Sequence, residues 1–441
     1  MLDSYPSSRR PLTAKNDALK RVGDLCVAIG RGMMSFEVIF VLFIFAGLYK
    51  ADPRLAWFPV DLTLLLFLVS VGLGGWIVVR RDLRLSKRSL FVCLGLVLFI
   101  GWMFVSLSWS PSRIYGPDKA RNLSTLVLWA GMAPALIIAP DLVRFRRFVY
   151  AMIGFATLLS LDGTFGNLES GANYIASENY LGVGRAVGFA AMMVLVLLSI
   201  SRGVLTRLQL ALLLALYGYV LLTAGGRGPL LAVVAGVLML VAGSFHLKWG
   251  TVRVRLAASL AALAIVSFIM AVWAGPESRT FHRFTVLASQ ESGGTSAGQR
   301  LHYWKAAPGI IAKSPVVGQG VGGWPIAMGY SDNRRYPHNI LIETTIEGGL
   351  IGLILLGTAI LFGLRALLSR NVFDETPRLI VFVLFVNTLF NAMVSGDLSD
   401  NRLLFATIGF MAVAYVPRTA PAMTPGRSLR PVRPTRPRTA P

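Results

Sequence analysis

Apolar runs too long and too continuous for a water-soluble helix bundle dominate this chain. Twelve of them, near 33–49, 57–79, 89–110, 122–140, 148–162, 186–200, 208–224, 229–245, 256–275, 339–363, 379–395 and 403–416, approach the length that crosses a bilayer, which is ~20 residues for a helix. The fifth, sixth and twelfth are short. Charged residues fill only 15% of the 441 positions, against about 25% in an ordinary soluble domain. Backbone amides in hydrocarbon must pair within their own segment, so such runs have to be helices. The expectation is an all-α polytopic membrane protein with about twelve transmembrane helices.

Basic residues orient that bundle. With the N-terminus placed in the cytoplasm, 28 of the 43 lysines and arginines fall on segments assigned inside, as the positive-inside bias requires, and both termini then read as cytoplasmic. Five parts follow: a cytoplasmic segment 1–32, spans one to nine over 33–275, a large outside loop 276–338, spans ten to twelve over 339–416, and a basic tail 417–441. The tail, rich in Pro and Arg and free of acids, reads as disordered and held near anionic lipid. Residues 15–31 carry apolar positions at helical spacing among basic ones and suit an interfacial helix. The first 32 residues lack the apolar core and small-residue site of a cleavable signal peptide. The net charge of +22 is explained in large part by these loops. No recognition motif accompanies it, so nucleic acid is not an expected partner. Cys26 and Cys93 sit on the inner side or in a span, and no periplasmic disulfide is expected.

The loop 276–338 runs against the charge rule. Arg279, Arg283, Arg300, Lys305, Lys313, Arg334 and Arg335 outnumber Glu277, Glu291 and Asp332 by four where basic residues are normally scarce. An anionic ligand is the natural counterpart, and arginine forks suit phosphate oxygens. The loop's aromatic content predicts short helices packed on the outer face of the bundle. Its PVVGQGVGGW segment, 315–324, supplies turn and close-approach glycines. The GxGxxG letters within it follow no strand, which excludes a dinucleotide fingerprint. A second outside arginine, Arg227, lies between glycines in TAGGRGPLLA; close approach to a ligand and simple snorkelling both suit it. His338, in YPHN behind Pro337, meets the apolar run 340–364 where water meets bilayer, and an imidazole there is a candidate for chemistry or for a plain helix cap. Glu343 and Glu347 are four residues apart, on one face of that run and one and two turns below His338.

Two stretches carry a resemblance. GQRLHYWKAAPGIIAKSPVVGQGVGGW, followed by YPHNILIETTIEGGLIGL, resembles the signature region of the O-antigen ligase and polymerase superfamily, in which PHN-x-x-L and then E-x-G-x-x-G follow a large periplasmic loop. Arg227 stands where that family has Ser-Arg-Gly, with Gly226 here in place of the serine. The similarity extends over about 220–355. It implies a GT-C-like glycosyltransferase of the inner membrane. Such an enzyme transfers O-antigen glycan from undecaprenyl diphosphate to a sugar hydroxyl of lipid A-core on the periplasmic side, with no cofactor and no metal.

That implied chemistry assigns roles. A lipid diphosphate leaving group needs positioned cations, for which Arg227 and Arg300 lead and Arg185 is either a third or an interface anchor. The acceptor hydroxyl must lose a proton, which suits His338 as general base, kept neutral if it occupies the first turn of a helix. The absence of a carboxylate pair points to a single inverting displacement. Arg334 and Arg335 are acceptor-phosphate contacts or solvated charges; Asn339 and Glu347 are structural supports, with Glu347 bonding backbone or a neighbouring helix. His282 and His302 read as surface residues and His246 as cytoplasmic. The alternatives are an O-antigen polymerase, a related protein oligosaccharyltransferase, and a polytopic transporter or flippase; no internal repeat favours the last.

Overall fold

Apolar sequence with no water to hydrogen-bond its backbone leaves helices as the available structure, and helices are what the chain forms. The computed structural model describes residues 35–50, 52–80, 86–165, 180–223, 226–246, 296–369, 372 and 375–414. Among these there is no strand. The helices are α1 (Phe36–Phe45), α2 (Leu62–Arg80), α3 (Lys87–Val105), α4 (Tyr115–Ile138, with two π-turns), α5 (Leu142–Phe165), α6 (Tyr180–Ile200), α7 (Val204–Thr223), α8 (Arg227–His246), α9 (Ser296–Ile311), α10 (Trp324–Ala327), α11 (Ile340–Leu368), α12 (Thr376–Val394) and α13 (Arg402–Phe410).

Seven of these are long and apolar enough to cross a membrane: α2, α3 with its 3-10 extension to Trp109, α4, α6, α7, α11 and α12. Eleven of the twelve apolar runs coincide with a helix; the run 256–275 lies outside the described residues, as do the segments 1–32 and 417–441 with their interfacial helix and basic tail, and most of the loop half 276–295. Among the described residues the number is smaller than twelve because some helices are short and the 24-residue α5 carries Arg144, Arg146, Arg147 and Asp162. The nine residues of α13 reach only about 14 Å at 1.5 Å per residue. α6 is the central post, 83% buried over its most apolar window, whereas α2 is 17% buried and presents its apolar side chains outward, as a lipid-facing helix does.

The described part of the large loop folds onto the bundle. α9 and α10 are the short helices expected there. They pack through Ala307, Ile310 and Trp324 against Ile346 of α11, with Tyr303 edge-on to Trp324 at 4.7 Å. α11 itself is broken at Gly349, whose φ of 66° and ψ of −166° lie outside the helical range. Three carbonyls thereby lose their partners four residues on, and each is satisfied from elsewhere. Gln319 N donates to Ile346 O at 2.7 Å and Gly320 N to Glu347 O at 2.9 Å; Trp102 Nε1 donates to Gly348 O at 2.8 Å. In return the freed amides of Leu350 and Ile351 donate to Pro315 O and Val316 O at 2.9 and 3.2 Å. Irregular backbone at membrane depth survives only when paired in this way. Gly348, Gly349 and Gly352 therefore do more than permit close helix packing, because Gly349 makes the break and a Cβ there would collide with the backbone of Val316 and Gly318.

Candidate active site

Among the described residues, His338 is the one non-glycine with positive φ, 59°, a conformation unusual for a side-chain-bearing residue. It does not lie in the first turn of a helix, nor does Pro337 start one. Asn339 is the N-cap of α11, its Oδ1 accepting from Leu341 N and Ile342 N at 3.0 and 3.1 Å, and His338 precedes the cap. The cap satisfies the helix end, so the imidazole is left for other work. Trp304 of α9 fixes the approach by donating from Nε1 to Pro337 O at 2.9 Å, and Tyr336 packs edge-on to the His338 ring at 4.5 Å. The His338 Nδ1 is buried and makes no hydrogen bond.

Arginines surround this imidazole. Burial, then Arg300 and then Arg185 push the His338 pKa down to about 4, against a weaker pull from Asp397. The neutral ring is favoured first by burial and then by its neighbours' charge. Arg300, on α9, is itself below its ordinary value through burial and the repulsion of Arg227 and Arg185, which outweigh Tyr180 and Tyr336. The three arginines therefore share one electrostatic neighbourhood. Small residues bring their helices together: a Cβ at Gly184 would meet Pro229 at 3.0 Å, and one at Gly188 would meet Val233 at the same distance. α6 and α8 thus touch one turn from Arg185 and Arg227. The Nε atoms of Arg185 and Arg300 are buried without a hydrogen-bond partner, and such donors are costly unless something anionic completes them.

Arg334 and Arg335 are placed differently. Arg334 pairs with Asp400 at 2.5 Å and with Asp397 at 3.7 Å, while Arg335 lies over the Tyr330 ring at 4.5 Å. His302 is exposed on α9; His282 lies outside the described residues, and nothing of the His246 side chain is described.

Glu347 meets a neighbouring helix through a group that sequence reasoning passed over. Lys119 of α4, wholly buried, bonds Glu343 Oε1 and, at 2.7 Å, Glu347 Oε2, both carboxylates being equally buried. Glu343 Oε1 also accepts from Leu398 N at 3.2 Å, and Tyr115, one turn before Lys119, donates to Asp397 Oδ2 at 2.6 Å. The signal was present: two acids on one buried helix face require a cation, and Lys119 precedes the fourth apolar run in DKAR. Asp332 was likewise counted only as a charge. Its carboxylate accepts from Ser112 Oγ at 2.6 Å and from the amides of Arg113, Ile114 and Tyr115 at 2.6, 2.7 and 3.2 Å. The loop thus caps the start of α4. Burial opposes that charge, but these hydrogen bonds hold the Asp332 carboxyl below the usual carboxylate range.

The site thus sets a half-buried histidine beside arginines at the loop end of the helix bundle. Residues 210–357 match the family model described as O-antigen ligase. Over that segment, about a third of the chain, it is similar to the O-antigen ligase and polymerase superfamily. The matched segment runs from α7 into α11 and includes Arg227, Arg300, His338 and Glu347. Arg185, Lys119 and the 395–401 turn fall outside it. No curated protein matches the chain in sequence.

Proposed function

We propose that this protein is an O-antigen ligase, transferring glycan from undecaprenyl diphosphate to a sugar hydroxyl of lipid A-core at the periplasmic face of the inner membrane. The observation that supports the reading is the approach of Arg300 and Arg185 to His338, whose Nδ1 has no hydrogen bond, with Arg227 acting on Arg300. The arginines take the diphosphate and stabilise its charge as it leaves. The acceptor hydroxyl oxygen attacks the anomeric carbon, the bond from that carbon to the diphosphate oxygen breaks, and the hydroxyl proton passes to His338. One displacement inverts the anomeric configuration, and a product that retains it would exclude this step.

Burial together with the neighbouring arginines holds His338 too acidic to be an efficient base at neutral pH. A bound diphosphate offsets their charge and raises the imidazole pKa, so the base becomes competent when the donor is in place. Arg335 is open to a phosphate of the acceptor. Purified protein incubated with lipid-linked glycan and lipid A-core tests the chemistry directly. Lipopolysaccharide from a deletion strain tests the assignment within the superfamily: uncapped core supports the ligase, normal capping overturns it, and a core bearing one repeat unit indicates a polymerase.

A further inference from the structure

Among the arginines of the site, two already share an acidic neighbour. Arg334 Nη2 lies 2.5 Å from Asp400 Oδ1. Arg185 lies near the same residue across Gly396: a Cβ on that glycine would stand 2.7 Å from Arg185 Nη2 and 3.2 Å from Asp400 Cβ. Asp400 is held in place by its backbone, since its amide donates to Asp397 Oδ1 at 2.7 Å, and Asp397 is tied to α4 through Tyr115. The arginine end of the pair is the looser one. Arg334 is 56% and Asp400 33% exposed, and an ion pair this open to water is weak enough to exchange partners.

We propose that Asp400 is a resident counter-ion, paired with Arg334 and adjoining Arg185, and that it competes with the donor's diphosphate for their charge. The inference rests on the diphosphate reading above and adds a residue that sets its affinity. A fixed carboxylate beside the phosphate site weakens the binding of donor and of released lipid diphosphate alike, which favours turnover over product retention. Four groups meet on this turn, with Asp397 and Asp400 facing Arg185 and Arg334. Removing one acid leaves a net positive site.

The test is the affinity of purified full-length protein for undecaprenyl diphosphate, with lipid A-core as a second ligand, in the native chain and in Asp400→Asn and Asp400→Ser. Melting temperatures confirm that at least one variant is folded. The expected result is binding of undecaprenyl diphosphate tighter by about five- to tenfold, the scale of an ordinary coupling between two ligands, with a smaller gain in an Arg334→Gln background. Unchanged or weaker binding in the variants, with the native protein binding normally, overturns the counter-ion inference and leaves the function standing. Failure of the native protein to bind undecaprenyl diphosphate overturns the function and the inference together. Tightening for lipid A-core alone overturns the assignment of Asp400 to the donor.

Discussion

At the scale of single residues, His338 is governed by what surrounds it more than by where it falls in a helix. Base catalysis requires the neutral ring, so activity is lost as pH falls through the imidazole pKa. In the free enzyme that value is about 4, and bound diphosphate moves it upward. The acid limb of kcat/KM, which reports the free enzyme, is therefore expected at lower pH than the acid limb of kcat, which reports the donor complex. Coincident limbs would contradict the coupling. His338→Gln should lower kcat by about 10²–10⁴-fold, the usual worth of a positioned base, with donor affinity nearly unchanged. The residue types of the site were legible in the sequence: PHN, GGRG and the excess of loop arginines singled out His338, Arg227 and Arg300. Lys119 and Asp400 were not, because a lone charge beside an apolar run looks the same whether it is solvated or buried in a network.

At the scale of elements, α4 and α11 are joined by the Lys119, Glu343 and Glu347 cluster, which has no access to water. Lys119→Met leaves two buried carboxylates facing each other, and breaking a buried ion pair from one side costs roughly 3–5 kcal/mol. The melting temperature should fall sharply. A triple variant that also carries Glu343→Gln and Glu347→Gln removes the unpaired charge and should recover most of the loss. No recovery would show that the lysine is needed for more than charge balance. The positions of most helices could be read from hydropathy, since length and apolarity determine them. The break in α11 could not, because EGGLIG also suits ordinary close packing, and only the neighbouring loop decides which use the glycines serve.

At the scale of the whole molecule, the proposed chemistry requires the loop end of the bundle to lie outside the cytoplasm. Asn333 is exposed on that end, so Asn333→Cys gives a reporter. Cys93 is buried, and Cys26 is removed for the experiment. A membrane-impermeant maleimide should label position 333 in spheroplasts but not in sealed inside-out vesicles. The opposite pattern would place the site in the cytoplasm and end the ligase reading.

The joint at Gly349 has a consequence for motion. The amides of Gln319, Gly320, Leu350 and Ile351 are each bonded across it, two in each direction, so none can open without its opposite numbers. In hydrogen–deuterium exchange these four should be protected together and released together, at one rate and with one response to denaturant. A loop that merely rested on the membrane surface would exchange well before the helix beneath it. Here the floor under the histidine and the span that crosses the lipid behave as a single cooperative unit, and substrates must come to it.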